Sequence, residues 1–214
     1  MKVEVMKNIL GENDKIADEN RKLFTEKEVF VINLMGSPGS GKTSLLEKTI
    51  AKLKDEIKMA VIEGDLFTAK DAERVEQHGV PVIQINTAGG CHLDAAMVKR
   101  AAESLDLDAL DLIIVENVGN LVCPAEFDVG EEVKVVVLSI TEGDDKPMKY
   151  PLIFKESAVA ILNKVDILKF CNFNIESARE DLTTLHPDIK IIETSCTTGE
   201  GLDAWYEWIR SKIN

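Results

Sequence analysis

Apolar positions along this chain alternate between two rhythms. Seven short runs, mostly apolar and rich in β-branched residues, read as buried strands: 29–35, 59–63, 80–85, 112–116, 134–140, 158–162 and 189–194. Between most of them the apolar residues recur every three or four positions, which predicts helices at about 42–56, 68–77, 93–104, 147–156, 174–184 and 201–212. The stretch between the fourth and fifth strands is loop-like, with Gly119, Pro124 and Gly130. Strands that alternate with helices predict an α/β fold, a mostly parallel seven-stranded sheet with helices on both faces. Residues 1–28 are polar and charged, with Ile9, Leu10, Ile16 and Leu23 scattered among acids and lysines. They predict an N-terminal helical extension, solvated and weakly packed, ahead of one domain at 29–214.

Composition narrows the partners. A formal net charge of -13 argues against nucleic acid or an anionic membrane surface. No apolar run approaches a membrane span, and no signal-peptide core opens the chain, so a cytoplasmic protein is expected. In that reducing compartment Cys91, Cys123, Cys171 and Cys196 are expected as thiols or metal ligands.

The first strand runs into Gly36-Ser37-Pro38-Gly39-Ser40-Gly41-Lys42-Thr43, followed by Ser44 and a helical pattern. Strand, glycine-rich turn and helix are the context that the phosphate-binding P-loop needs, and they predict a P-loop NTPase fold. Glycines let backbone N–H groups approach an anion, and the helix N-terminus adds partial positive charge there. Lys42 is expected on the β- and γ-phosphates and the Thr43 hydroxyl on Mg²⁺.

A second motif selects the base. Asn163-Lys164-Val165-Asp166 closes the sixth run. The Asp166 carboxylate can accept two hydrogen bonds from guanine; adenine offers no such donor pair and would strand the carboxylate. Lys164 can cover the base face, and Asn163 can tie this loop to the P-loop. Ser195 and Cys196, after the last strand, stand where GTPases usually carry a small serine-alanine-lysine turn against the base. For hydrolysis, Asp65 and Glu116 are expected on the Mg²⁺ sphere, with Thr43, directly or through waters. Asp71 is the candidate for orienting the attacking water. Gly119 makes an E-x-x-G version of a switch motif, where a backbone N–H can approach the γ-phosphate. No arginine stands near these motifs in the sequence, so slow intrinsic hydrolysis is expected.

Cys91-His92 follows the third run and Cys123 follows Glu116 by seven residues. Two thiolates and an imidazole form a soft set that suits Zn²⁺ or Ni²⁺. By spacing alone an adjacent Cys-His pair is more often structural. Its placement is what raises interest, because a metal on Cys123 would move with the phosphate-sensing loop.

Together, Gly64-Asp65 with Asp71-Ala72, Gly90-Cys91-His92-Leu93-Asp94-Ala95, the run from Glu116 to Pro124, and Gly143-Asp144-Asp145-Lys146-Pro147 resemble the HypB family of hydrogenase maturation GTPases. The resemblance implies a GTP-dependent nickel-insertion protein that pairs as a homodimer around its nucleotides. It implies Cys91, His92 and Cys123 as ligands for Ni²⁺ or Zn²⁺ at the subunit interface. It implies as partners the nickel-binding protein HypA and the [NiFe]-hydrogenase large subunit. Some family members carry cysteine- or histidine-rich nickel stores at the N-terminus. This chain has no cysteine before Cys91 and three histidines in all, so no such store is expected. The rival readings are a urease-accessory-like GTPase, whose cysteine-proline-histidine motif is missing here, a metal buffer with little GTPase activity, and a small-molecule kinase.

Overall fold

A computed structural model describes the backbone of residues 5–65 and 70–213, with side chains from residue 10 onward except at 70, 71 and 73. Residues 1–4 of the predicted extension, and the first two of the predicted helix at 68–77, lie outside the described residues. In chain order the elements are α1 (Val5–Glu26), β1 (Phe30–Gly36), α2 (Lys42–Leu53), β2 (Met59–Asp65), α3 (Lys70–Glu76), β3 (Val82–Asn86), α4 (Ala95–Ala102), β4 (Leu112–Glu116), α5 (Cys123–Glu126), β5 (Val133–Ser139), α6 (Lys146–Lys149), α7 (Pro151–Lys155), β6 (Val159–Asn163), α8 (Ile175–Leu185), β7 (Lys190–Thr194) and α9 (Leu202–Ile213). Two differences from the sequence reading are local. The predicted helix at 147–156 breaks into α6 and α7 at Tyr150-Pro151, where proline cannot continue the hydrogen-bond ladder. The loop after β4 contains the one-turn α5, started by Pro124 near its N-terminus.

The seven strands form one sheet in the order β3-β2-β4-β1-β5-β6-β7, and every pairing is parallel. Side chains alternate across it. Ile32, Val61, Ile114, Val137 and Ile161 face a core closed by α2 and α9, where Trp205 donates to the Thr49 hydroxyl at 2.8 Å. Val31, Ile62 and Val115 face α1 and α4. Val136, Leu138 and Leu162 face α7 and α8 on that same second side. Each large aliphatic side chain buried in this way contributes about 1.5–3 kcal/mol. No helix among the described residues is long and apolar enough to cross a membrane.

The weakly packed N-terminal helix is corrected. Ala17 and Phe24 of α1 are buried in the core. Asn20 donates to the Ala95 carbonyl at 2.8 Å and the Val129 carbonyl at 3.0 Å, while Asn13 donates to the Asp128 carbonyl at 2.8 Å and accepts from Ala95 N–H at 2.9 Å. Buried amides with every contact made hold an element firmly, because unpairing them costs more than the bonds gain. The helix therefore braces the start of α4 and the loop before β5.

Candidate functional site

Parallel strands point their carboxyl ends to one edge, and the candidate residues gather there. β1 ends in Gly36, with φ 147°, and the turn passes through Gly39 and Gly41, with φ 75° and 101°. Glycine is required at Gly41 for a second reason: a Cβ there would lie 2.2 Å from Asn163 Nδ2. Lys42 opens α2 and is buried, its ammonium donating to the carbonyls of Gly36 and Ser37, both at 3.3 Å. These bonds hold the lysine head inside the curl of the loop. The Ser40 hydroxyl is buried there without a hydrogen-bond partner among the described residues. A cleft of ≈ 400 Å³ opens over this turn, lined by Pro38, Gly39, Gly41, Lys42, Thr43, Ser44, Glu63, Gly64, Asp65, Arg74, Val118, Gly119 and Lys164. Its size, its glycine floor and its buried lysine fit the phosphates of a nucleotide.

Acids line the other wall. Glu116 ends β4 and accepts a hydrogen bond from the Thr43 hydroxyl at 2.8 Å. Its register partner on β2 is Glu63, and both are buried. Asp65, at the end of β2, lines the cleft. A hydroxyl and carboxylate oxygens converging beside a phosphate-sized cleft form the hard oxygen set that fits Mg²⁺. Glu63 was not among the sequence candidates. The signal was available: an acid ending an otherwise apolar run, as Glu116 does. The Asp71 backbone is in α3, and its side chain is outside those described. Gly119 lies against the P-loop, where an added Cβ would meet Pro38 Cα at 2.9 Å. The expectation that no arginine stands near the motifs is corrected. Arg74 of α3 lines the cleft, with an ion pair to Glu47 of α2 at 2.6 Å. Packing of α3 beside α2 brings it there, which linear spacing does not reveal.

The loops after β6 and β7 interlock with the P-loop. Asn163 donates to the Ser40 carbonyl at 2.9 Å, and Lys164, with φ 70°, donates to the Gly39 carbonyl at 2.6 Å. Thr194 donates to Asn163 Oδ1 at 3.2 Å, and the Cys196 thiol reaches the same oxygen at 3.6 Å. Burial raises the Cys196 pKa and keeps the thiol protonated. Ser195 is buried and accepts from the N–H groups of Thr197 at 3.2 Å and Thr198 at 3.1 Å, shaping the turn. Asp166 follows in a 3₁₀ turn, and its Oδ1 is buried without a hydrogen-bond partner among the described residues. An unsatisfied carboxylate oxygen two residues after Lys164, which lines the cleft, fits a ligand that brings N–H donors.

Cys91, His92 and Cys123 come together although 32 residues separate the cysteines. One ligand atom from each lies within 4.8 Å of the others. The two sulfurs are 2.9 Å apart, and Cys91 Sγ is 3.6 Å from His92 Nδ1. Burial lowers the His92 pKa, against the charges of Asp94 and Glu126, so the imidazole is held neutral. Its ring packs on Phe127 with centroids 3.8 Å apart. The hydrogen bond with Cys91, then burial, raises the Cys123 pKa. Two thiols and a neutral imidazole at this spacing fit a soft or borderline divalent cation, which would displace the thiol protons and leave a coordination position open.

Comparison with known proteins identifies relatives of the whole chain. The profile of the CobW/HypB/UreG nucleotide-binding domain family matches residues 30–193. The hydrogenase maturation factor HypB of Escherichia coli K12 is 49% identical over 210 residues, spanning 98% of this chain and 72% of that protein. The probable HypB of Methanocaldococcus jannaschii is 43% identical over 211 residues, 99% of this chain and 96% of that protein. The crystal structure of HypB from Helicobacter pylori in complex with nickel superposes with a TM-score of 0.90 at 38% identity, covering 94% of this chain and 95% of that one.

Proposed function

The chain belongs to the HypB hydrogenase maturation factors of the CobW/HypB/UreG nucleotide-binding family, and from that premise we propose that it is a GTPase that delivers nickel to a [NiFe]-hydrogenase in the cytoplasm. GTP binds with its phosphates on Gly36 to Ser44 and its guanine on Asp166, against Asn163, Lys164, Ser195 and Cys196. Thr43, Asp65 and Glu116 hold Mg²⁺, which supplies charge neutralisation at the phosphates. Asp71 orients water for attack on the γ-phosphorus; the bond to the β-phosphate oxygen breaks, and GDP and phosphate leave. Arg74 is paired with Glu47, and that pairing keeps intrinsic hydrolysis slow. Cys91, His92 and Cys123 carry Ni²⁺, or Zn²⁺ in its place. GTP draws two copies together as a homodimer, HypA exchanges metal with it, and the hydrogenase large subunit receives the nickel.

One observation carries this reading. A single short loop, from Glu116 to Cys123, contains a hydrogen-bond partner of Thr43, the glycine against Pro38 and one thiol of the soft triad. Losing the γ-phosphate releases that loop and loosens the grip on the metal. The test is a Ni²⁺ titration with GDP and with a slowly hydrolysed GTP analogue, while sedimentation reports oligomeric state. The expected result is a nucleotide-dependent nickel affinity and a dimer with the GTP analogue. Identical affinity and identical species in both states would overturn the reading.

A further inference from the structure

Two asparagines flank Gly119, and both reach across to the Cys91-His92 loop. Asn117 is buried. Its N–H donates to the Leu34 carbonyl at 2.9 Å, and its side-chain NH₂ donates to Asn33 Oδ1 at 3.1 Å. Its own Oδ1 accepts from the N–H groups of Leu93 and Val118, both at 3.0 Å. Asn117 is therefore fixed to β1 and fixes the residue that follows His92. Asn120 is placed differently. Its N–H donates to the carbonyl of Gly36, the first P-loop glycine, at 3.0 Å. Its side-chain NH₂ donates to the Cys91 carbonyl at 3.3 Å, and its Oδ1 accepts from Val122 N–H at 2.9 Å. One carboxamide thus joins the backbone beside Cys91 to the backbone just before Cys123, and its own backbone is tied to the P-loop.

We infer that Asn120 is the positioning residue that transmits nucleotide state to the Cys91–His92–Cys123 set, with Asn117 as the fixed post it moves against. This rests on the nickel-delivery reading above and names the link within it. The physical reason is the difference in anchoring. Asn117 pins Leu93, and through it His92, to the sheet. Asn120 links both cysteine loops to the P-loop on the far side of Gly119. Any rotation about Gly119 displaces the Asn120 carboxamide relative to Asn117. The cysteine sulfurs then shift against the imidazole, and a three-ligand set tolerates little such shift before affinity falls, since outer contacts of this kind orient metal ligands.

The test compares the full-length wild type with Asn120→Ala and Asn120→Asp. Asn120→Asp keeps an acceptor for Val122 N–H but loses the donor to the Cys91 carbonyl, so it serves if the alanine variant does not fold. Ni²⁺ affinity is measured by chelator competition with GDP and with the slow GTP analogue. The rate of thiol alkylation at Cys91 and Cys123 is measured without metal in the same two states. The wild type is expected to show an affinity ratio of about tenfold between nucleotide states, and each variant a ratio within about twofold, with GDP affinity retained. The alkylation contrast should vanish with it. Variants that keep the wild-type ratio and contrast overturn the role of Asn120 and leave nickel delivery standing. A wild type without nucleotide dependence overturns both.

Discussion

The edge of the sheet that gathers the candidate residues has two halves built in opposite ways. On the β6–β7 side, side chains cross directly onto the P-loop. Asn163 holds Ser40, Lys164 holds Gly39, and Thr194 holds Asn163 in turn. Removing room for a single methyl at Gly41 completes a locked corner. On the β2–β4 side Asn117 is fixed to β1, but beyond Gly119 the Cys91 and Cys123 loops are joined through the Asn120 carboxamide, and Cys91 is exposed. A pre-built corner suits recognition of an unchanging group, such as a base. A lightly tied one suits a group that comes and goes, such as a γ-phosphate, since mobile elements are drawn from the less stable parts of a fold. On the proposed function, the contrast separates what the protein reads from what it responds to.

The change expected to be largest damages what both halves share. Lys42→Ala removes the buried cation of the P-loop, and GTP turnover is expected to fall by about 10²- to 10³-fold, as when a transition-state charge partner is lost. Steady-state phosphate release checks this, and undiminished turnover would break the comparison at its root. Asp166→Asn comes next and addresses the locked half alone. It should weaken GTP binding by about 1–3 kcal/mol and leave Ni²⁺ affinity in the nucleotide-free protein unchanged. Calorimetry with each ligand separates the two effects.

Cys123→Ala addresses the lightly tied half alone. Removing a ligand costs at least what losing an outer-shell support costs, so Ni²⁺ or Zn²⁺ affinity should fall by about 10- to 100-fold. GTP affinity measured without metal should not change. If both ligands weaken together, the halves are not separable and the division fails.

The two halves also differed in how much of them the sequence disclosed. Strands could be read because runs such as Ile113-Ile114-Val115 are buried on both faces, so nothing polar interrupts them. Motifs could be read where chemistry demands contiguous residues, as at Gly36 to Thr43 and Asn163 to Asp166. What stayed hidden depends on distant packing. Asn13 and Asn20 look like solvated helix positions until their carbonyl partners, 75 to 115 residues away, are known. Arg74 looks remote until α3 lies beside α2. Glu63 looks like an ordinary strand-end charge until the fold shows it 2% exposed next to Glu116. β3 and β4 are not neighbours in the sheet, because β2 lies between them, so the approach of Cys91 to Cys123 is made by the loops beyond the strands, which no local pattern encodes.

The smallest expected effect is the most selective. Cys196 is the cysteine of the locked half, as Cys123 is of the other. Its thiol is a weak donor, reaching Asn163 Oδ1 at 3.6 Å, an oxygen that Thr194 already serves at 3.2 Å. Cys196→Ala therefore leaves no acceptor stranded, and guanine-nucleotide affinity should shift by less than about 0.5 kcal/mol. Nickel stoichiometry should be untouched, because burial keeps this thiol protonated. The sulfur also packs against the core beneath α9, so a modest fall in melting temperature is expected without a change in either binding constant. A loss of nucleotide affinity as large as that of Asp166→Asn would mean that the turn after β7 grips the base through this sulfur. A loss of bound nickel would mean that the locked half also carries metal, and the separation of reading from responding would not survive.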